Sequence, residues 1–254
     1  VKQLFVIGIG SGDPDHLTVA AIRAIEQVDV FFLIDKGEAT RELTGHRRAV
    51  CERYATAKPY RVVPIDDPPR DRASTAYTDA VHAWHDARTE QFRRAIDEEL
   101  APDGCGAVLV WGDPSLYDST VRVLDRVATR VSEPFTVTVI PGVTSVSELA
   151  ARHAIPLNAV GGSVLITTGR RLAASGMPDD VDDVVVMLDG QCSFTTVDED
   201  VDIYWGANLG TEGERVVAGR LAEVADEIRR VREDVARERG WVMDVYLLRR
   251  RTRD

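Results

Sequence analysis

Three apolar runs, "QLFVIGI" (3–9), "DVFFLID" (29–35) and "GAVLVWGDP" (106–114), are set apart by stretches with helical spacing. Between the first two, Leu17, Ala21, Ile25 and Val28 fall on one face of a helix over 17–28. A short continuous apolar run reads as a strand buried on both faces. Strands alternating with helices build a mainly parallel sheet covered on both sides. The chain is therefore predicted to be α/β. Helices are also expected over 40–57 and 73–100, the second stopped by Pro102 and Gly104, with the brief strand "YRVVPI" (60–65) between them.

After Tyr117 the pattern changes. A helix over 116–131 leads to "FTVTVIPG" (135–142) and a helix of small residues, "SVSELAARH" (145–153). The later strands "SVLITTG", "DDVVVMLDG", "DIYWGAN", "ERVVAG" and "WVMDVYLL" have short or missing helical connections, apart from a charged helix over 220–239. That predicts a mixed second sheet. Two α/β domains follow, 1–117 and 118–254.

The net charge of −11 argues against a nucleic-acid binder, which would carry a basic face. No run approaches the roughly 18 apolar residues of a membrane helix. Three dispersed cysteines and the absence of a leader pattern lead us to expect a cytoplasmic protein. One stretch runs against the overall charge: Lys36 to Arg72 holds nine basic residues against six acidic ones. It reads as a solvated surface or as a patch for an anionic ligand. His82 and His85 lie at i,i+3 beside Asp86, but no third ligand follows at characteristic spacing, so no metal is expected.

The first strand runs into "FVIGIGSGDPDHLT" (5–18), with Gly8-x-Gly10-x-Gly12. In a dinucleotide loop the third glycine would stand where Asp13 does, and a carboxylate there opposes a pyrophosphate. The loop alone leaves open a methyltransferase loop, with Asp35 ending the second strand, or a tight strand-to-helix turn.

Five further segments narrow the choice: "WGDPSLY" (111–117), "IPGVTSVSELAARHAIPLN" (140–158), "LITTGR" (165–170), "VVVMLDG" (184–190) and "EGERVVAGRLAEV" (212–224). In this order they resemble the tetrapyrrole (precorrin) methylase family across essentially the whole chain. Within it, "FFLIDKGEATREL" (31–43), the segment 51–72 and "DIYWGANLGT" (202–211) resemble the deacetylating members. The resemblance implies two α/β domains with a cofactor cleft between them, and a homodimer. It implies S-adenosylmethionine (SAM) as cofactor and a tetrapyrrole as substrate. The implied reaction methylates ring carbon 1 of precorrin-5 and releases the acetyl group as acetate. A sibling acting at another ring position and a binding protein without turnover are the alternatives.

Carried over motif by motif, the resemblance places SAM contacts at Gly112, Asp113, Pro114 and Leu116, at Thr144 and Ser145, at Met187 and at Leu209. Taken singly, Met187 reads equally as core and Thr144 as a helix cap. Many members carry proline where this chain has Ser11, so residues 10–16 are assigned to the tetrapyrrole side of the cleft. Lys36, Arg41, Arg47 and Arg48 are candidates for the substrate's carboxylates. Methyl transfer needs mainly positioning, whereas deacetylation needs a base or an oxyanion donor. Asp35 is the candidate for that polar role, with a cap or salt bridge as its other reading.

Overall fold

The computed structural model describes residues 1–35, 41–68, 77–198 and 200–251. It divides into two compact units, Val1–Gly10 with Pro14–Val143, and Ser11–Asp13 with Thr144–Asp254.

The first unit contains β1 (Lys2–Gly8), α1 (Val19–Ile25), β2 (Val30–Asp35), α2 (Arg41–Tyr54) and β3 (Arg61–Asp66). It continues with α3 (Tyr77–Glu99), β4 (Cys105–Val110), α4 (Thr120–Ala128) and β5 (Phe135–Ile140). The strands lie in the order β3-β2-β4-β1-β5, every pair parallel. Alternate side chains of β1 enter different cores. Phe5 and Ile7 pack with Ala21, Ile25 and Val50, while Leu4 and Val6 pack with Phe92, Ile96 and Leu124. This burial on both faces is why the strand shows no polar alternation. Helix α1 starts late, at the Thr18 cap, whose hydroxyl accepts from Ala21 N at 3.0 Å.

The division falls between Val143 and Thr144, not at the expected 117/118. Strand β5 pairs with β1 in parallel register, Leu4 opposite Val137 and Val6 opposite Val139. A strand joined to its predecessor by a crossover helix closes onto the same sheet. The segment 118–143 therefore belongs with the first unit.

The second unit contains α5 (Ser145–His153), β6 (Val164–Thr168), α6 (Gly169–Ser175) and β7 (Asp183–Met187). It ends with β8 (Val201–Ala207), β9 (Arg215–Arg220), α7 (Leu221–Arg239) and β10 (Asp244–Arg250). Its order is β6-β7-β10-β8-β9. Only β6 and β7 run parallel and the other pairs are antiparallel, the mixed sheet expected from the short connections. Trp205, Tyr246, Phe194 and Ile203 form its core with Leu172 and Ile228 from the covering helices. Among the described residues no helix is long and apolar enough to cross a membrane.

Candidate functional site

In the first unit, the loops leaving β1, β4 and β5 meet at the carboxyl edge of the sheet, where open α/β sheets hold ligands. Gly10 and Gly112 exchange backbone hydrogen bonds of 3.2 and 2.7 Å. The opening glycine loop is thus tied directly to the later Gly-Asp-Pro turn. A Cβ on Gly8 would stand 2.6 Å from Gly142 N, and one on Gly142 only 2.3 Å from Gly112 O. Glycine is required by this close approach. Gly142→Ala is therefore expected to cost about 1–3 kcal/mol by overpacking, read as a lower midpoint of thermal unfolding. An unchanged midpoint would show that these loops are not in contact.

Asp113 holds the arrangement. Its Oδ1 accepts from Ser115 N at 2.8 Å and from the Ser115 hydroxyl, and its Oδ2 accepts from Gly142 N at 2.8 Å. Burial pushes this carboxyl upward, but the hydrogen bonds from Ser115 and Gly142 together outweigh it, and the net shift is below the usual range. Asp113 is therefore spent on bracing the turn. Gly112 is buried with its N–H and C=O taken by Gly10, and at φ +69° it leaves open space where a Cβ would stand. Pro114 is buried, Leu116 is half-buried, and Tyr117 holds φ +53°. Left-handed backbone at a non-glycine residue is uncommon and concentrates at functional sites.

The basic candidates separate. Arg47 turns inward, its Nε donating to Leu109 O at 3.1 Å and an Nη to Leu43 O at 3.4 Å. Burial lowers its guanidinium pKa, Asp118 opposes the shift, and nearby Arg88 adds to it. Arg48 is exposed. Lys36 lies outside the described residues, as do the side chains of Asp35 and Arg41. The backbone of Asp35 ends β2, opposite Asp66 of β3. Arg88 was missed from sequence: it is 4% exposed, donates to Ser119 Oγ at 3.1 Å and lies over the Trp84 ring at 5.0 Å. The signal was available, because Arg88 shares the buried i, i+4, i+8 stripe of α3 with Phe92 and Ile96.

In the second unit, Thr144 is the N-cap of α5, its hydroxyl accepting from Ser147 N at 3.1 Å, and Ser145 is the first helical residue. The Ser11–Asp13 segment packs against 209–211: a Cβ on Gly12 would meet Leu209 O at 3.1 Å, and one on Gly210 would meet Asp13 N at 2.8 Å. The structure thus sets Ser11, assigned to substrate, in the segment that lies beside Leu209, assigned to cofactor. The Ser11 hydroxyl is buried without a hydrogen-bond partner. Leu209 is 3% exposed, and its neighbour Asn208 (φ +49°) has a buried Nδ2 with no acceptor. Met187 is half-buried, while the next residue, Leu188, stands 66% exposed at φ +54°. The apolar surface offered at this loop is chiefly that of Leu188.

A family model for the tetrapyrrole (corrin/porphyrin) methylases matches residues 3–225. The precorrin-6A synthase [deacetylating] of Sinorhizobium sp is 46% identical over 251 residues, covering 98% of this chain and 96% of that protein. Among solved structures, a cobalamin synthesis related protein (CobF) from Corynebacterium diphtheriae superposes with a TM-score of 0.82 at 34% identity, covering 98% of each chain. A uroporphyrin-III C-methyl transferase from Thermus thermophilus, complexed with S-adenyl homocysteine, gives 0.56 at 22% identity over 97% of this chain and 91% of that one. At that identity the likeness is one of fold.

Proposed function

The chain belongs to the tetrapyrrole (corrin/porphyrin) methylases, and from that premise we propose that it methylates precorrin-5 at ring carbon 1 with SAM and releases the acetyl group as acetate, giving precorrin-6A in aerobic cobalamin biosynthesis. The observation that carries the reading is the near-full-length 46% identity to a deacetylating precorrin-6A synthase. The same reading carries a homodimer and a cytoplasmic location.

SAM supplies an electrophilic methyl group on a sulfonium centre. It has no phosphate, so the site needs hydrogen-bonding backbone and apolar surface rather than an anion cradle. The residues present fit that need. The turn Gly112–Leu116, braced by Asp113, leaves open space beside Gly112. Asn208 Nδ2 is a buried donor awaiting an acceptor beside Leu209, and Leu188 is an apolar side chain held outward at a backbone cost. Thr144 and Ser145 offer hydroxyls at a helix start, and Met187 with Leu209 forms the apolar remainder. Arg48 is exposed, as a group meeting substrate carboxylates must be. Lys36 and Arg41 belong to the same proposal, as do Ser11 and Asp35.

Anaerobic incubation with precorrin-5 and SAM, followed by mass analysis, tests the reading. Methyl gain with acetate release is expected. Methyl gain without acetate would place the protein among its siblings, and no change would leave a binding role.

A further inference from the structure

We propose that His46 is the base that activates water for removal of the acetyl group, with Glu42 as its positioning residue. The inference rests on the deacetylating reading above and names a residue for the step that reading leaves without one.

The placement comes from α2. Arg47 ties this helix to the end of β4 through Leu109 O, and the preceding residue, His46, sets its ring edge-on to Trp111, with centroids 5.6 Å apart at 70°. Trp111 directly precedes the Gly112-Asp113-Pro114 turn. His46 therefore stands at the carboxyl edge of the first sheet, against the loop assigned to the cofactor. Its Nε2 is shut away from solvent without a hydrogen-bond partner, and Glu42 Oε1 lies 4.0 Å from it, one helical turn back. A carboxylate on that side favours the Nε2–H tautomer and leaves the Nδ1 lone pair as proton acceptor.

Several other described groups near this edge are committed or have the wrong charge. Both Asp113 oxygens are taken by Ser115 and Gly142. Asp118 accepts from Thr120 N at 2.6 Å, and the Tyr54 hydroxyl donates to Pro14 O at 3.0 Å. Arg47 and Arg88 are cations. An imidazole can serve deacetylation as the group that takes the proton of the attacking water.

In the step, the oxygen of water bonds to the acetyl carbonyl carbon as one water proton passes to His46. The bond from that carbon to the ring carbon then breaks, and its electron pair enters the macrocycle. The proton held by His46 is returned to the macrocycle, acetic acid leaves as acetate, and no oxidant or reductant is needed.

The test is single-turnover reaction with precorrin-5 and SAM, following methyl gain and acetate release separately. His46→Gln is expected to methylate within about twofold of wild type while acetate release falls on the order of 10²-fold or more, so that a methylated, still-acetylated product accumulates. Glu42→Gln should slow acetate release about tenfold and leave methyl gain and S-adenosylhomocysteine affinity unchanged, a split that a packing role would not produce. His46→Asn serves as the second variant if glutamine disturbs the contact with Trp111. Acetate release at the wild-type rate in both His46 variants would overturn the inference and leave the deacetylating reading intact. So would a joint loss of methyl gain and acetate in a folded variant, or loss of acetate release in Asp35→Asn alone. Wild-type protein that methylates without releasing acetate would overturn both.

Discussion

Asp113→Ala is expected to weaken S-adenosylhomocysteine binding at least tenfold, as measured by calorimetry, even though the carboxylate makes no direct contact with ligand in our reading. The substitution removes the acceptor for Ser115 N, the Ser115 hydroxyl and Gly142 N. Ser115 is exposed and can turn to water. Gly142 N, half-buried against Gly8, loses its partner, toward the lower end of the about 1–3 kcal/mol for an unpaired buried donor. A turn that must be ordered by the ligand subtracts that ordering from affinity, and about 1.4 kcal/mol is already tenfold. Asp113→Asn keeps two carbonyl lone pairs and should fall between wild type and alanine. The brace is also acid-sensitive. The folded-state pKa of Asp113 is depressed, so its contribution is present above the unfolded carboxyl value near 3.9 and is lost as pH falls through the lower folded value. Stability of Asp113→Ala should therefore converge with wild type as pH falls below that depressed folded value. Unaltered affinity in the alanine variant would remove the Gly-Asp-Pro turn from the cofactor site.

The fold was readable where burial is local and repetitive. The runs holding Leu4 to Ile7 and Ala107 to Val110 are apolar at every position because the parallel strands are covered on both faces. Strand β5 was not readable in the same way. "FTVTVI" alternates threonine with apolar residues because it is an edge strand with half its side chains outward, which imitates an antiparallel strand of the second domain. Only its register with β1 assigns it. The candidate site divides along the same line. The Asp113–Ser115 bond spans two positions and follows from an Asp-Pro-Ser turn, but the bond to Gly142 spans 29. Arg47 reads as a surface cation until its Nε is found on Leu109 O, 62 positions away. Met187 reads as an adaptable apolar residue, whereas the exposed neighbour Leu188 is marked by a positive φ, which side-chain type does not encode. The familiar glycine spacing of the first loop was informative for a different reason: Gly8 and Gly10 serve close approach to the Gly-Asp-Pro turn and its partner Gly142.

Asp189→Ala is expected to have the largest effect on stability. The side chain is 3% exposed and accepts four hydrogen bonds: from Gln191 N (3.1 Å), Ser193 N (2.6 Å), Ser193 Oγ (2.9 Å) and Tyr246 OH (2.7 Å). Tyr246 is wholly buried; burial, then the charge of Asp189, pushes its phenol far above the ordinary range, so it stays a neutral donor. Truncation leaves Ser193 N and the phenol with no acceptor in a closed core, at about 1–3 kcal/mol each, and adds a cavity beside them. The total is on the order of 4 kcal/mol, a large share of the roughly 5–15 kcal/mol that holds a domain folded. At about 2–4 °C per kcal/mol for a chain of this size, the unfolding midpoint should drop on the order of 10 °C. Tyr246→Phe separates the contributions. It removes one donor while the carboxylate keeps three, so it should cost about 1.5–3 kcal/mol and roughly half the shift. The loss reaches the candidate site through the chain itself, because Asp189 follows Leu188 and fixes the turn that holds that residue outward at φ +54°. Asp189→Ala that still folds at low temperature should therefore bind S-adenosylhomocysteine more weakly than Tyr246→Phe, in which all three bonds to the loop remain. Equal affinities in the two variants would mean that the Leu188 turn keeps its shape without the carboxylate, and would assign Asp189 to the core alone.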